Sequence, residues 1–287
     1  MKRRDMLLTT GAAVLGLSAF PLRWTAAAEN KKQKVLYFTR SAGFEHGAVK
    51  RQGDELSFSE KTLIEMGKRA GFDVECTKDG KVFDGDLSQY DCIAFYTSGD
   101  LTRPCKQPGS PMSPEGKKKL LDAIAAGKGF VGIHAATDSF RSAGIDPYIA
   151  MIGGEFVGHD AQQEAKVTVV PPKFPGIGDY DSLALMEEWY AIAKFAKDLH
   201  VILVQETAGM KGRNYERPPF PATWARLHEK GRVFYTSFGH RDDIWTNPKV
   251  QEIMLGGIAW AMKNVKADVD VTPNIEKVTP KANQLKN

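Results

Sequence analysis

A chain of 287 residues with a formal charge of +4, 42% hydrophobic and 26% charged residues has an ordinary globular composition. That argues against a disordered, repetitive or membrane-embedded protein and for one hydrophobic core with trimmings. The three cysteines, Cys76, Cys92 and Cys105, match no metal or redox spacing and allow one disulfide at most. Buried small side chains explain Cys76 and Cys92 equally well.

In chain order, Lys2-Arg3-Arg4 stands directly before an apolar run, Met6 to Phe20, that falls short of the roughly 20 apolar residues of a membrane span. Ala26-Ala27-Ala28 then supplies a small-residue cleavage site. Residues 1–28 are expected to be a signal peptide. The paired arginines with Leu7 and Leu8 resemble a twin-arginine export signal; an ordinary secretory signal is the alternative. Cleavage after Ala28 would remove four basic residues (Lys2, Arg3, Arg4, Arg23) and one acidic (Asp5), lowering the formal charge from +4 to +1. The mature protein is expected to be periplasmic or otherwise exported, without a membrane span, and with nothing to attract nucleic acid or an anionic membrane.

Lys34 to Thr39 reads as a buried strand, followed by a loop from Arg40 to Gly53. A helix with Leu63, Ile64, Gly67 and Ala70 on one face should stop at Gly71, with a strand from Phe72 to Cys76 after it. Tyr90 to Tyr96 is a third strand, and a Pro-rich loop leads to a helix with Leu120, Leu121, Ile124 and Ala125 inward. Gly127 to Ile133 is a buried strand that turns abruptly at His134-Ala-Ala-Thr-Asp138. Alternating strands and helices with short links predict an α/β fold with a mainly parallel, doubly wound sheet.

The second half is less regular. Strands are expected at Ala165 to Val170, Leu183 to Tyr190 with a turn, and His200 to Glu206. Thr223 to Arg226 and Arg232 to Ser237 should pair and close the sheet, and a last amphipathic helix carries Ile253, Leu255, Ile258 and Ala261. One domain is thus expected over 29–265, with 266–287 a polar, surface-wrapping tail. Ligands of such sheets bind beyond the carboxyl ends of the strands.

Four of the six histidines fall in glycine-flanked segments, three of them following a predicted strand: Gly43-Phe-Glu-His46-Gly47, Gly132-Ile-His134, Phe156-Val-Gly-His159 and Ser237-Phe-Gly-His240. Glycine permits a sharp turn and close approach of a ligand. One such histidine is commonly a hydrogen-bonded structural residue; four together point to a site, while His200 and His228 lack this setting. Imidazole serves as general acid or base near neutral pH, or binds a divalent metal when neutral. With no HExxH or HxH spacing, a metal site has to be assembled from distant segments. Glu187-Glu188-Trp189-Tyr190 adds a carboxylate pair, at least one member of which suits a base or a ligand; a solvated turn is the bland alternative. Phe44, Trp189, Tyr190, Trp224, Tyr235 and Trp245 offer flat faces that suit sugars, although aromatics in a domain of this size also build the core.

Gly127-Lys-Gly-Phe-Val-Gly-Ile-His134-Ala-Ala-Thr-Asp138, Met151-Ile-Gly-Gly-Glu-Phe-Val-Gly-His159, Glu187-Glu-Trp-Tyr190 and Gly231-Arg-Val-Phe-Tyr-Thr-Ser-Phe-Gly-His240 with Trp245 resemble the ThuA-like (trehalose-utilisation) domain in order and spacing, from about Lys34 to Lys263. The resemblance implies a flavodoxin-like fold similar to class I glutamine amidotransferases. His134 stands where those enzymes place their nucleophilic cysteine, so the chain is not expected to hydrolyse glutamine, and His240 falls near their catalytic histidine.

The resemblance further implies carbohydrate processing, through 3-keto sugars made by a partner sugar dehydrogenase. A ketone at C3 acidifies the C2 proton, so a base can remove it while a metal or an imidazolium stabilises the oxygen, giving isomerase or lyase chemistry. Glu188 or His46 is then expected as base, and His134 and His240 as electrophiles. The same four residues are the expected ligands of a divalent metal, zinc or similar, with no nucleotide cofactor. Phe44, Asp138, His159, Trp189, Tyr190 and Trp245 are expected to contact a small sugar or keto-sugar. A metal-dependent hydrolase and a non-catalytic carbohydrate-binding protein are the alternative readings.

Overall fold

The computed structural model describes residues 32–264 and 267–285; the expected signal peptide lies outside the described residues. Eleven strands are present among them: β1 (Lys34–Phe38), β2 (Asp73–Thr77), β3 (Cys92–Phe95), β4 (Gly129–Ile133), β5 (Glu155–Gly158), β6 (Gln163–Val169), β7 (Ser182–Glu187), β8 (Ala191–Ala193), β9 (His200–Gln205), β10 (Phe220–His228) and β11 (Gly231–Thr236). The helices are α1 (Phe58–Ala70), α2 (Pro114–Ala125), α3 (Pro147–Ile152), α4 (Asp242–Thr246), α5 (Pro248–Ala261) and α6 (Ile275–Val278).

Nine strands form one sheet in the order β2-β1-β3-β4-β11-β10-β9-β6-β7. The expectation of a mainly parallel sheet is corrected here. Strands β2, β1, β3, β4 and β11 run parallel, but β10, β9, β6 and β7 continue the sheet antiparallel. The reason is connection length. β10 and β11 are joined by a tight turn with Glu229 at φ 52, and a link that short can only make a hairpin, whereas parallel neighbours need a crossover of a dozen or more residues. β6 and β7 also alternate buried and exposed residues, as antiparallel strands with one wet face do. The parallel strands β3 and β4 are buried throughout.

Local chemistry sets the helix ends. Ser57 and Glu60 form a reciprocal capping box at the start of α1, and Gly71 closes it in the left-handed region at φ 91. α2 begins with Ser113 as cap and Pro114 in its first turn, and α5 with Asn247 and Pro248. α5 packs on β4 and β11 and is buried almost throughout, Trp260 included; each such large apolar side chain contributes about 1.5–3 kcal/mol. A small antiparallel sheet of β5 and β8, unforeseen in the sequence, stands outside the main one. The tail is fastened down: Asn274 Oδ1 accepts from the Val201 N–H at 2.7 Å, and Ala267, Ile275 and Ala282 are buried.

Candidate metal centre

The chain brings four polar segments to one end of the sheet, the end where β1, β4, β7 and β11 finish. After β1, Ala42 and Gly43 donate their N–H groups to Ser98 O at 2.8 and 3.0 Å, and Ser98 Oγ donates to Phe44 O at 2.6 Å. This fixes the approach to His46. At the tip of β4, His134 adopts φ 46, a conformation that costs a non-glycine residue about 1–3 kcal/mol unless its surroundings enforce it. They do: Tyr235 donates its hydroxyl to His134 O at 2.8 Å, and the His134 Nδ1–H donates to Ser237 O at 2.7 Å. After β11, Gly239 sits at φ 134, and a Cβ there would meet Ile133 Cγ2 at 3.1 Å and His134 Cβ at 3.4 Å. Its carbonyl accepts from Tyr96 Oη (3.1 Å) and Trp245 Nε1 (2.8 Å), which directs His240 inward.

Glu188, immediately past β7, lies at the centre. Its Oε2 is 3.0 Å from His240 Nδ1, 3.4 Å from His134 Nε2 and 3.6 Å from His46 Nε2, and Oε1 is 3.4 Å from His159 Nδ1. One donor atom from each of His46, His134, Glu188 and His240 lies within 4.8 Å of the others. The Tyr190 hydroxyl hydrogen-bonds His46 Nε2 at 3.0 Å, and the Tyr190 ring lies 4.0 Å from that of His134.

Three of these atoms, His134 Nε2, His240 Nδ1 and Glu188 Oε2, are buried without a hydrogen-bond partner, as is the other ring nitrogen of His46, Nδ1. At His134 the conflict is sharpest. Its Nδ1 carries the proton given to Ser237 O, so Nε2 presents a lone pair to a carboxylate oxygen. A cation held between them would relieve the repulsion of two lone pairs 3.4 Å apart. Burial pulls the His134 imidazole down to about 3, which favours its neutral, ligating form, and a divalent metal suits three imidazoles and a carboxylate. The second nitrogen of His134 held by a backbone carbonyl is also the usual support of a metal-bound histidine.

The remaining electrostatics agree. Burial lowers His46 as well. Burial opposes ionisation of Glu188, but His134, His240 and His46 outweigh it and hold its carboxyl well below the usual range. His240 is lowered by burial yet raised overall by Glu188 beside it.

Of the expected sugar contacts, the structure places four at the cluster. Phe44 is 67% exposed and stands edge-on over His46 with ring centroids 4.9 Å apart. Tyr190 and His159 stack at 6.0 Å, and Asp138 is buried with Arg141 Nε at 2.6 Å. Burial pushes the Asp138 carboxyl up to about 6 against Arg141. Trp189 and Trp245 are corrected: both are fully buried and their indole N–H groups are used by the carbonyls of Gln163 and Gly239. A ring with its N–H so satisfied belongs to the core.

Residues that the sequence did not single out complete the surroundings. Gln162 lies between His240 Nε2 (2.9 Å) and Arg241, whose guanidinium donates to Gln162 Oε1 at 2.9 Å. Arg141 lies over the Phe156 ring. Tyr215 donates to Trp189 O at 2.6 Å and accepts from the Asp160 N–H, tying the His159 loop to the Glu188 segment. No motif announces these residues. All three cysteines are free, and burial pushes Cys76 up to about 12 and Cys92 higher still, so neither supplies a thiolate.

No curated protein matches the chain. Its fold is similar to that of a protein named ThuA-like from Bacteroides uniformis, with 19% identity, TM-score 0.61, and coverage of 87% of this chain and 98% of that one. A protein named likewise from Parabacteroides merdae gives 16% identity, TM-score 0.58, and coverage of 81% and 90%. At these identities the likeness concerns the fold alone. The family described as trehalose utilisation, ThuA, matches residues 34–261, and the chain therefore belongs to the ThuA family.

Proposed function

We propose that this chain is an exported carbohydrate-processing enzyme in which His46, His134, His240 and Glu188 hold a divalent cation of the zinc type, and which acts on sugars or 3-keto-glycosides as an isomerase or lyase. The observation that carries the reading is the His134 Nε2 lone pair facing the Glu188 carboxylate in a buried setting. Bound there, the cation would supply Lewis-acid polarisation of a substrate carbonyl.

The residues around it divide the remaining work. Glu188 is surrounded by imidazoles and His46 is 2% exposed, so neither is free to take a substrate proton. His159 is better placed than either base expected from the sequence. Its side chain is 42% exposed, and its Nδ1–H donates to Asp160 O at 3.0 Å, which leaves Nε2 as the proton acceptor. His159 Nε2 then takes the C2 proton of a 3-keto-glycoside. The C–H electron pair moves into the C2–C3 bond as the carbonyl pair moves to oxygen. Return of those electrons breaks the C1–O bond, with His159 protonating the departing oxygen, or returns a proton to carbon as an isomer. Phe44 offers an apolar face to the sugar ring, and Asp138 an acceptor for hydroxyls. A sugar dehydrogenase that oxidises the C3 hydroxyl would supply the substrate.

Proton NMR of a 3-keto glucoside in heavy water tests this, comparing mature wild type, His159→Ala, His134→Ala and chelator-treated protein. Loss of the C2 proton signal is expected with wild type only. A C2 proton untouched at high enzyme concentration would sink the enolate step. Chelator-sensitive cleavage of ordinary glycosides would instead identify a hydrolase, and sugar binding that survives His134→Ala without turnover a binding protein.

A further inference from the structure

Glu187 is the carboxylate that the mechanism leaves unused. It ends β7 on the strand's buried face, where Leu183, Leu185 and Glu187 point inward and Ala184 and Met186 outward. It is 0% exposed, a costly place for a carboxylate unless hydrogen bonds satisfy it. Backbone N–H groups satisfy it: Oε1 accepts from the Glu188 N–H at 2.7 Å and Oε2 from the Gly239 N–H at 3.0 Å. One carboxylate thus grips the amide of one cluster residue, Glu188, and the amide next to another, His240.

The sheet does not provide this link. Strands β7 and β11, which deliver Glu188 and His240, are separated by β10, β9 and β6, so no ladder hydrogen bond fixes their relative register. Yet Glu188 Oε2 and His240 Nδ1 lie 3.0 Å apart. Glu187 spans the gap.

We infer that Glu187 is the positioning residue of the centre: it sets the spacing of Glu188 and His240 on which cation binding depends and touches neither cation nor substrate. This rests on the reading that the four-residue cluster holds a divalent cation.

The test is Co²⁺ binding to full-length mature protein, read as affinity by chelator competition and as the visible d–d spectrum of the bound ion. Glu187→Gln keeps size but replaces one acceptor with an NH₂ group that opposes a backbone N–H. At saturating Co²⁺ it is expected to keep the wild-type stoichiometry, with affinity reduced about 10–100-fold, as for other outer partners of metal ligands, and with a shifted d–d spectrum. Glu188→Gln, by contrast, removes a ligand and lowers retention outright. Glu187→Asp keeps both acceptor oxygens on a shorter arm and is expected to fall between wild type and Glu187→Gln; it also carries the test if Glu187→Gln fails to fold. A folded Glu187 variant with wild-type affinity and spectrum overturns the assignment alone. Wild type that takes up no Co²⁺ overturns the metal reading with it.

Discussion

His134 is the residue where backbone, hydrogen bonding and electrostatics constrain one another most tightly. Its φ lies in the left-handed region, its Nδ1–H is held by Ser237 O, and the remaining lone pair faces Glu188. Glu188→Gln removes the negative charge at the centre. Its loss of metal affinity should exceed the about 10–100-fold of an outer partner, measured as bound zinc after dialysis. Away from the cluster, Lys78 is 3% exposed, donates to Thr39 O at 2.7 Å and is pulled by burial from 10.5 down to about 8. Between those two values the unfolded chain binds the proton and the folded chain does not, so stability rises with pH through the window and the gain is lost as pH falls through 8. Lys78→Met lacks this rise. Wild type should therefore gain on it by roughly 1.4 kcal/mol per pH unit above 8, seen in urea denaturation at two pH values within the window.

Among the elements, the start of α1 does more than begin a helix. Glu60, fully buried, accepts from Arg51 Nε and Nη2 at 2.8 Å, from Thr39 Oγ1 at 2.6 Å and from the Ser57 N–H at 2.8 Å. It thereby joins the end of β1, the loop that carries His46 and the helix cap. Arg51→Met leaves that carboxylate without its cation and should cost about 3–5 kcal/mol, seen as a lowered urea midpoint at unchanged slope. Most elements were legible because each runs on a local rule. The Ser57 and Glu60 pair with Gly71 bounds α1, and apolar runs mark β1, β3 and β4. The β5 and β8 pair was not legible, since Ala191–Ala193 is too short to show a period. Glu187 was legible in part: two-residue alternation from Leu183 places it on the apolar face, where a carboxylate calls for an explanation.

For the molecule as a whole, the proposed cation binding would be linked to folding, because His46, His134, Glu188 and His240 come together only in the folded chain. A ligand at about 100 times its dissociation constant adds about 2.7 kcal/mol. Chelation should lower the melting temperature by on the order of 5–10 °C, and added zinc should restore it; a melting curve indifferent to chelator would count against the centre. No helix among the described residues is long and apolar enough to cross a membrane. By itself the sequence determined the α/β class, the parallel half of the sheet, the family resemblance and the four residues that gather in the cluster, His46, His134, Glu188 and His240, because strand periodicity, glycine-flanked turns and caps act over a few residues. Only the tertiary structure decided that the sheet continues antiparallel, that Trp189 and Trp245 belong to the core, that His159 is exposed where Glu188 is buried, and that Glu187 spans β7 and β11. Those outcomes depend on which distant segments meet, and no short-range pattern records that.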